Sequence, residues 1–291
     1  MAGRKKKGRN RRSKARKAAI LVIPSVLILS LAILFTWWKA PPKEKREGQI
    51  VAPPIPAEEK KEAKKEETRQ PPPRLALIID DGGYNTAKFK GMLGMGKAMT
   101  FAILPNTPHA REAALLAHRD GSEVMLHLPM EPKEEELYSL EKGTVLTGMS
   151  HREIQKILLN DLKQIPYVRG VNNHMGSKAT EDSKVMQALM EGLKNEKLYY
   201  IDSHTSSHSL GPEMARRAGV ACAQNCRFID RDKDIDAIRG AVRLAMRKAK
   251  KEGKAVAIGH PDPLTAQAIK EMIPEIEREG IRLVFASEVV G

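Results

Sequence analysis

The sequence predicts an α/β fold in which short buried strands alternate with helices around a barrel-like sheet. Eight short apolar runs occur from residue 75 onward, and stretches with a 3.6-residue apolar period lie between them. The ends of successive runs are mostly 23 to 30 residues apart, which is the length of one strand–helix unit. Seven or eight such units favour a barrel, and a doubly wound open sheet is the alternative that periodicity does not separate from it.

The predicted strands cover residues 75–80, 99–104, 122–127, 168–172, 198–202, 226–230, 255–259 and 282–286. The long spacing after the third strand leaves room for an extra loop at 129–148. One helix is predicted to begin at Ser150, where Glu153 completes a capping box. A second begins near Thr180, and a third covers residues 232–251, with Gly253 just beyond its basic last turn.

The N-terminal part of the chain predicts a membrane anchor. Residues 1–17 form a basic tail with ten Lys and Arg residues, and residues 18–38 contain no charged side chain. Twenty-one such residues are enough to cross a bilayer as a helix, and the basic flank predicts that the tail is cytoplasmic. A cleaved signal peptide is the alternative, but the apolar stretch is longer than a usual signal core. We therefore expect a single-pass protein of the bacterial inner membrane whose remaining part is periplasmic or otherwise extracytoplasmic.

Residues 39–73 are predicted to be a linker, because they combine eight prolines with dense charge and few large apolar groups. The globular domain is then 74–291, which is long enough for one substantial core. The net charge of +14 resides mostly in the basic tail. The rest of the chain is nearly balanced, so the composition gives no support for nucleic acid binding, and lipid headgroups are the partner expected for the tail. No protein partner can be named from the sequence.

The sequence contains two cysteines, Cys222 and Cys226. An oxidising compartment favours a local disulfide between them, with free thiols as the second interpretation and a metal site as a distant third.

Polar side chains follow several predicted strands, at the edge where α/β proteins bind ligands. Asp80 and Asp81 end the first strand, and two adjacent carboxylates require a positive partner nearby. Four of the eight histidines also fall at strand ends, namely His127, His174, His204 and His260. Imidazole and carboxylate together form a zinc-type ligand set, although manganese, cobalt or iron also fit it. The alternative for each single histidine is a hydrogen-bonded structural role.

These strand ends carry motifs that resemble the divergent polysaccharide deacetylase family, the YibQ-like relatives of the NodB carbohydrate esterases. The most specific motifs are His127-Leu-Pro-Met-Glu-Pro132 and Asn172-Asn-His-Met-Gly-Ser177, together with Asp80-Asp81-Gly82 after the first strand and Gly259-His260-Pro261 after the seventh. The resemblance covers nearly the whole globular domain. It implies a distorted, NodB-like (β/α) barrel of seven to eight strands.

The resemblance also implies roles for single residues. Asp80 corresponds to the general base, Asp81 and His127 to metal ligands, and His260 to the general acid. The position of the family's second histidine is occupied by Glu131, and we infer that His174 from the next strand replaces it as a ligand. The candidates for substrate contact are Glu131, Asn173, Asp202 and His204.

The sequence thus predicts a membrane-anchored hydrolase that removes N-acetyl groups from an envelope polysaccharide or glycan, using a divalent metal ion with zinc as the first choice. The alternative is a catalytically inactive glycan-binding or envelope scaffold protein with the same fold. An acyl or phosphoryl transferase is disfavoured, because the chain has no nucleotide-binding or nucleophile motif.

Overall fold

The computed structural model describes residues 71–134 and 139–291. It contains the strands β1 (Arg74–Gly82), β2 (Thr100–Ile103), β3 (Glu123–Met130), β4 (Val168–Met175), β5 (Tyr199–Asp202), β6 (Cys222–Phe228), β7 (Lys254–Gly259) and β8 (Arg282–Val284). All pairings between strands are parallel, and the order is β2-β3-β4-β5-β6-β7-β1-β8 with a further pairing of β1 and β2. Seven strands therefore close into a barrel, which excludes the open doubly wound sheet.

The barrel is distorted because β1 has a different neighbour along each half. Its first half, from Arg74 to Ala76, pairs with β8, and its second half, from Ile78 to Gly82, pairs with β2. On its other side β1 pairs with β7 along most of its length. The extra strand β8 thus fills the gap between β1 and β2 at the amino end of the barrel, while the carboxyl end is closed by seven strands.

The helices that follow the strands are α1 (Thr86–Lys90), α2 (Ala110–Arg119), α3 (His151–Gln164), α4 (Ser183–Asn195), α5 (Gly211–Ala218), α6 (Ile235–Glu252) and α7 (Pro263–Arg278). The predicted capping box at the start of α3 is confirmed, with Ser150 and Glu153 as its members. The other two predicted helices begin three residues later than expected. The reason is local, because the carboxylates of Asp182 and Asp234 cap the free N–H groups of α4 and α6.

The strands alternate between two apolar clusters, which is the period of two expected of a sheet covered on both faces. On β1, Leu75, Leu77 and Ile79 pack outward against the helices. Ala76 and Ile78 point into the barrel, where residues such as Met125, Ile201 and Ile258 fill the interior. Continuing this alternation by one step along β1, β3 and β7 brings Asp80, His127 and His260 to the carboxyl end of the interior.

The amino end of the barrel is closed by a short 3₁₀ helix, Ala286–Glu288, which follows β8. The Ala286 N–H donates to Thr100 Oγ1 over 2.9 Å, and the Ser287 N–H donates to Glu123 Oε1 over 3.1 Å. The same Glu123 oxygen accepts from the Tyr199 hydroxyl over 2.7 Å. Val289 directly follows this 3₁₀ helix and is buried in the inner apolar cluster.

Cys222 and Cys226 both lie on β6 and are free thiols, so the predicted disulfide is wrong. Four residues of extended strand separate the two α-carbons by about 13 Å, well beyond the span of a disulfide. The strand itself begins four residues earlier than the predicted 226–230.

The predicted basic tail (1–17), anchor (18–38) and most of the linker (39–73) lie outside the described residues. Within 71–134 and 139–291, no helix is both long enough and apolar enough to cross a membrane.

Candidate metal centre

The predicted polar residues of β1, β3, β4 and β7 meet at the carboxyl end of the barrel. Asp81 Oδ1 lies 3.3 Å from His127 Nε2 and 3.2 Å from His174 Nδ1. The two histidine nitrogens are 3.1 Å apart. Asp81, His127 and His174 therefore present one oxygen and two nitrogens to a common point, as a three-ligand metal site requires.

The backbone after β1 turns the Asp81 side chain toward the two histidines. Asp81 adopts a left-handed conformation with φ of 54°, which aspartate tolerates better than most residues. The next residue is a glycine in close contact with β2, since a Cβ on Gly82 would lie 2.4 Å from Ile103 Cδ1 and 3.2 Å from the Ala102 carbonyl oxygen, so a larger residue would require this packing to shift. At Gly83, with φ of 115°, a Cβ would lie 2.2 Å from Thr107 Oγ1. The glycine pair thus allows β1 to turn tightly against β2 just beyond the site.

The side chains fit a divalent cation, and the buried oxygen of Asp81 is the clearest sign. Asp81 Oδ1 is buried and has no well-aligned hydrogen-bond donor among the described residues. A buried carboxylate oxygen in this state is costly unless a cation neutralises it. Two imidazole nitrogens and one carboxylate oxygen are ligands that zinc accepts in sites that keep a coordination position open.

Asn172 joins the metal cluster to Asp80. Its Nδ2 donates to Asp80 Oδ1 over 2.8 Å, and its Oδ1 lies 2.8 Å from His127 Nδ1. Because a carboxylate can only accept, the amide nitrogen must face Asp80 and the amide oxygen must face His127. His127 then carries its proton on Nδ1, which leaves the lone pair of Nε2 directed at the cluster.

The two adjacent carboxylates have opposite electrostatic environments. Asp80 is 2 % exposed, and burial raises its pKa above the ordinary value despite the nearby histidines. Burial also acts to raise the pKa of Asp81, but the neighbouring imidazoles of His127 and His174 outweigh it and hold this pKa well below the usual range. Asp80 is therefore the better proton acceptor, while Asp81 stays ionised as a ligand must.

His260 forms a second pair with Asp230, at the end of β6. Its Nδ1 lies 2.9 Å from Asp230 Oδ1, and its backbone N–H donates to Asp230 Oδ2 over 2.7 Å. The Thr265 hydroxyl donates to the same Oδ2 over 2.9 Å. These bonds orient His260 Nε2 toward the cluster, where it lies 3.9 Å from Asp81 Oδ2. Burial opposes protonation of His260, but the Asp230 carboxylate prevails and raises the pKa of His260 to about 9.

The candidates for substrate contact do not form one group. Asn173 is buried and fully bonded, since its Oδ1 accepts from the Tyr200 hydroxyl and the Ser203 N–H while its Nδ2 donates to the Met175 carbonyl. Asp202 is completely buried and accepts from the His204 N–H and from Gln224. Both side chains therefore stabilise the carboxyl end of β5, and their contact with substrate stays a prediction.

Glu131 is also buried, and its carboxylate accepts from the Thr147 N–H and pairs with Lys178. It joins the loop before α3 to the turn after β4, and its contact with substrate stays a prediction. His204 is exposed at the end of β5 and stays a candidate.

Asp230 and Asn172 have site roles that sequence reasoning missed. Asp230 ends a predicted strand, and this was the signal available for it. Asn172 precedes His174 by two residues within one motif, and only strand alternation places both on the inner face.

Comparison with known proteins identifies the family. The model of the divergent polysaccharide deacetylases matches residues 77–290. The uncharacterized protein YibQ of Escherichia coli is 37 % identical over 213 residues, which cover 73 % of this chain and 66 % of that protein, just under two thirds of its length. An uncharacterized protein of Haemophilus influenzae is 31 % identical over 206 residues, covering 71 % of this chain and 72 % of that one.

Among solved structures, the crystal structure of an uncharacterized protein from Agrobacterium tumefaciens superposes with a TM-score of 0.71 at 19 % identity, over 77 % of this chain and 91 % of that one. This similarity supports the barrel fold independently of the family match. The chain belongs to the divergent polysaccharide deacetylase family.

Proposed function

We propose that this protein is a metal-dependent deacetylase that hydrolyses N-acetyl groups on an envelope polysaccharide or glycan. One observation carries the proposal, namely the cluster of Asp81, His127 and His174, whose buried Asp81 oxygen has no aligned hydrogen-bond donor among the described residues. The cluster lies between a buried carboxylate, Asp80, and an oriented histidine, His260. Amide hydrolysis needs a proton acceptor, a proton donor and a means of stabilising negative charge on the carbonyl oxygen. The cluster offers residues for each of these tasks.

Asp81, His127 and His174 would hold the metal ion, with zinc as the first choice. When bound, such an ion supplies Lewis-acid polarisation of the acetyl carbonyl and lowers the pKa of water. Asp80 takes the proton of the attacking water, because burial makes it a stronger base than an ordinary aspartate. His260 is protonated below a pH of about 9 and gives its Nε2 proton to the departing amine nitrogen. Asp230 holds the imidazole in place while the proton moves.

Metal binding to the full-length chain, purified in detergent, tests the proposal first. We expect one equivalent of zinc, manganese or cobalt per chain after dialysis, and Asp81→Ala should abolish the binding. Asp236→Ala, which removes an exposed carboxylate of α6, is the control and should bind as the wild type does. The proposal is wrong if no divalent ion binds in an Asp81-dependent manner.

Acetate release then separates an enzyme from a binding protein. The substrate is chitotetraose, a chain of four N-acetylglucosamine units. Metal-dependent release that Asp80→Asn reduces at least about a hundredfold supports hydrolysis, which is the scale expected for losing a general base. Metal binding without acetate release from this or other N-acetylated oligosaccharides supports the inactive glycan-binding protein instead.

We also propose that residues 18–38 anchor the protein in the inner membrane, with the barrel outside the cytoplasm. The uncharged stretch and its basic flank support this orientation. Cell fractionation should find the full chain in the membrane fraction and a chain without residues 1–38 outside it. Equal membrane association of both chains would contradict the anchor.

A further inference from the structure

An open groove of about 760 Å³ lies at the amino end of the barrel, opposite the metal centre. This amino-end groove is formed where β4, β5 and β6 begin and where α4 and α5 end. The more buried part of its lining is apolar and includes Leu198, Val220 and Val290. Arg169 of the groove and His174 of the metal centre both belong to β4, about 16 Å apart along the strand. The groove is therefore separate from the site described above.

The rim of the amino-end groove is positively charged. Arg169, Lys194 and Lys197 line it, and all three are exposed. None of these three side chains forms an ion pair or a hydrogen bond with another described residue. Glu196 is the one acidic residue among those that line the groove in the described part of the chain. Three positive charges thus face one negative charge, and their mutual repulsion is relieved when an anion binds between them.

The backbone at Lys197 indicates that a basic side chain is needed there. The Leu198 N–H donates to the Leu193 carbonyl over 2.9 Å, and this closure of α4 places Lys197 in a left-handed conformation with φ of 58°. Four other helices, α2, α5, α6 and α7, are followed by a glycine in the same conformation, namely Gly121, Gly219, Gly253 and Gly280. Glycine adopts this conformation without strain, whereas a lysine there costs stability. Strain of this kind is typical of positions that serve a function.

The surroundings of the groove favour a membrane surface as the source of the anion. Tyr167, directly before β4, is 52 % exposed and stacks on His118 with the ring centroids 3.7 Å apart. Exposed tyrosines are typical of protein surfaces that lie at the level of lipid headgroups. The chain also enters β1 at this end, at Arg74. The proposed anchor is therefore joined to the barrel at the end that carries the groove.

We propose that the amino-end groove binds the headgroup of an anionic phospholipid. Arg169, Lys194 and Lys197 donate charge-assisted hydrogen bonds to the phosphate oxygens, and the guanidinium of Arg169 is able to bind two of them at once. The apolar lining contacts the glycerol and the first carbons of the acyl chains. In this arrangement the barrel contacts the membrane with its amino end, and the metal centre at the carboxyl end faces away from the bilayer.

Hydrogen exchange of the full-length chain combined with vesicles tests the proposal, because it distinguishes the groove from the basic tail. Vesicles of phosphatidylcholine alone are compared with vesicles that also contain phosphatidylglycerol. Residues 194–199 should exchange more slowly with the anionic vesicles. A variant that combines Arg169→Gln, Lys194→Gln and Lys197→Gln should lose this difference. Each cation near an anionic membrane strengthens binding about fivefold, so removal of three should weaken it about a hundredfold.

Two further variants make the test specific. The matched control combines Arg152→Gln, Lys156→Gln and Lys184→Gln, which remove three exposed cations of α3 and α4 outside the groove, and it should keep the difference. Lys197→Gly removes one side chain of the groove and relieves the left-handed backbone. It should unfold at a higher temperature than the wild type and yet be less protected by anionic vesicles, a combination that a purely structural lysine would not produce.

Equal exchange of residues 194–199 with both kinds of vesicle would overturn the proposal, and so would protection that persists in the triple groove variant. Equal protection by inorganic phosphate with neutral vesicles would assign the groove to a soluble anion. Protection that rises with protein concentration in the absence of lipid would assign it to a second copy of the chain. Zinc binding and acetate release of the triple groove variant should match the wild type, so the result is independent of the proposed deacetylase.

Discussion

The amide of Asn172 governs two side chains with different tasks, since it donates to Asp80 and accepts from His127. A hydrogen bond from the ring nitrogen that does not face the metal fixes the ring orientation of a metal-binding histidine. The loss of such a bond commonly reduces metal affinity by about 10- to 100-fold. The single amide thereby couples the proposed base to the proposed metal site.

Asn172→Leu should lower zinc affinity by about 10- to 100-fold, because His127 Nδ1 loses its acceptor and the ring is free to turn. Competition with a chromophoric chelator measures the change. Asn160→Leu, an exposed position on α3, serves as the control and should bind zinc normally. Unchanged zinc affinity in a folded Asn172→Leu chain would show that Asn172 does not position His127.

Asp230 controls the protonation of His260. Asp230→Asn should lower the pKa of His260 from about 9 toward its ordinary value of 6.5, because the negative charge at Nδ1 is lost. NMR titration of the imidazole measures this directly, and Asp232→Asn, an exposed neighbour, is the control. A His260 pKa that stays near 9 in Asp230→Asn would contradict the assignment.

The pair of His260 and Asp230 also makes the free energy of unfolding depend on pH. The pKa of His260 is higher in the folded state than in the unfolded state, so the folded protein binds more protons between these values. The pair therefore stabilises the fold fully below a pH of about 6.5, and this contribution is lost as the pH rises through about 9.

At the scale of elements, the loop before α3 is joined to the barrel at several points. Val145 exchanges backbone hydrogen bonds with β3 through Pro129 and Glu131. Asn106, at the end of β2, donates through its Nδ2 to the Lys142 carbonyl and to Asp161 of α3. These bonds hold the loop at the mouth of the barrel.

Asp161 of α3 is a buried carboxyl group that destabilises this arrangement when it is ionised. It is 2 % exposed, its Oδ2 has no hydrogen-bond partner among the described residues, and burial raises its pKa to about 7. The folded state therefore holds a proton that the unfolded state has lost between a pH of about 4 and 7. The free energy of unfolding must fall as the pH rises through this range.

Asp161→Asn should remove this pH dependence, because an amide stays neutral. The free energy of unfolding of the variant should exceed that of the wild type by about 2–4 kcal/mol at pH 8 and match it near pH 4. Urea unfolding at both values measures the difference. Asp120→Asn at the end of α2 is the control. If the free energies of unfolding of Asp161→Asn and the wild type differ by the same amount at both pH values, the assignment is contradicted.

For the whole molecule, the two ends of the barrel have separate tasks. The carboxyl end holds the polar cluster, and the amino end is closed by the C-terminal 3₁₀ helix around Glu123. Closure of the amino end supports the interior that lies beneath the site, because the inner apolar cluster extends from Val289 up to Ile78 and Ile258.

Glu123→Leu should reduce the free energy of unfolding by about 2–4 kcal/mol, because the buried Tyr199 hydroxyl and the Ser287 N–H both lose their acceptor. Urea unfolding of the full chain measures this loss. Zinc affinity of the folded variant should stay at the wild-type value, since the site lies at the opposite end. An unaltered free energy of unfolding would show that the hydrogen bonds around Glu123 at the amino end contribute little to the fold.

Much of this organisation follows from local patterns. The spacing of apolar runs predicts the strands, and the polar residues that follow them predict Asp81, His127, His174 and His260 as neighbours. The capping box of α3 is equally local. The disulfide was predicted wrongly, because it depends on the distance between the two cysteines on β6, and the sequence spacing alone does not give that distance. The burial of Asn173 and Asp202 was equally invisible in the sequence.

The sequence by itself determined the repeating strand–helix order, the family and the residues of the cluster, since strand periodicity and motif identity are encoded along the chain. Only the tertiary structure decided that the sheet closes, that β1 is shared between β2 and β8, and that Asn172 and Asp230 orient two histidines. The physical reason is that these relationships join strands far apart in sequence. Hydrogen bonds between them depend on register and on which face a side chain occupies, and both are set when the barrel closes.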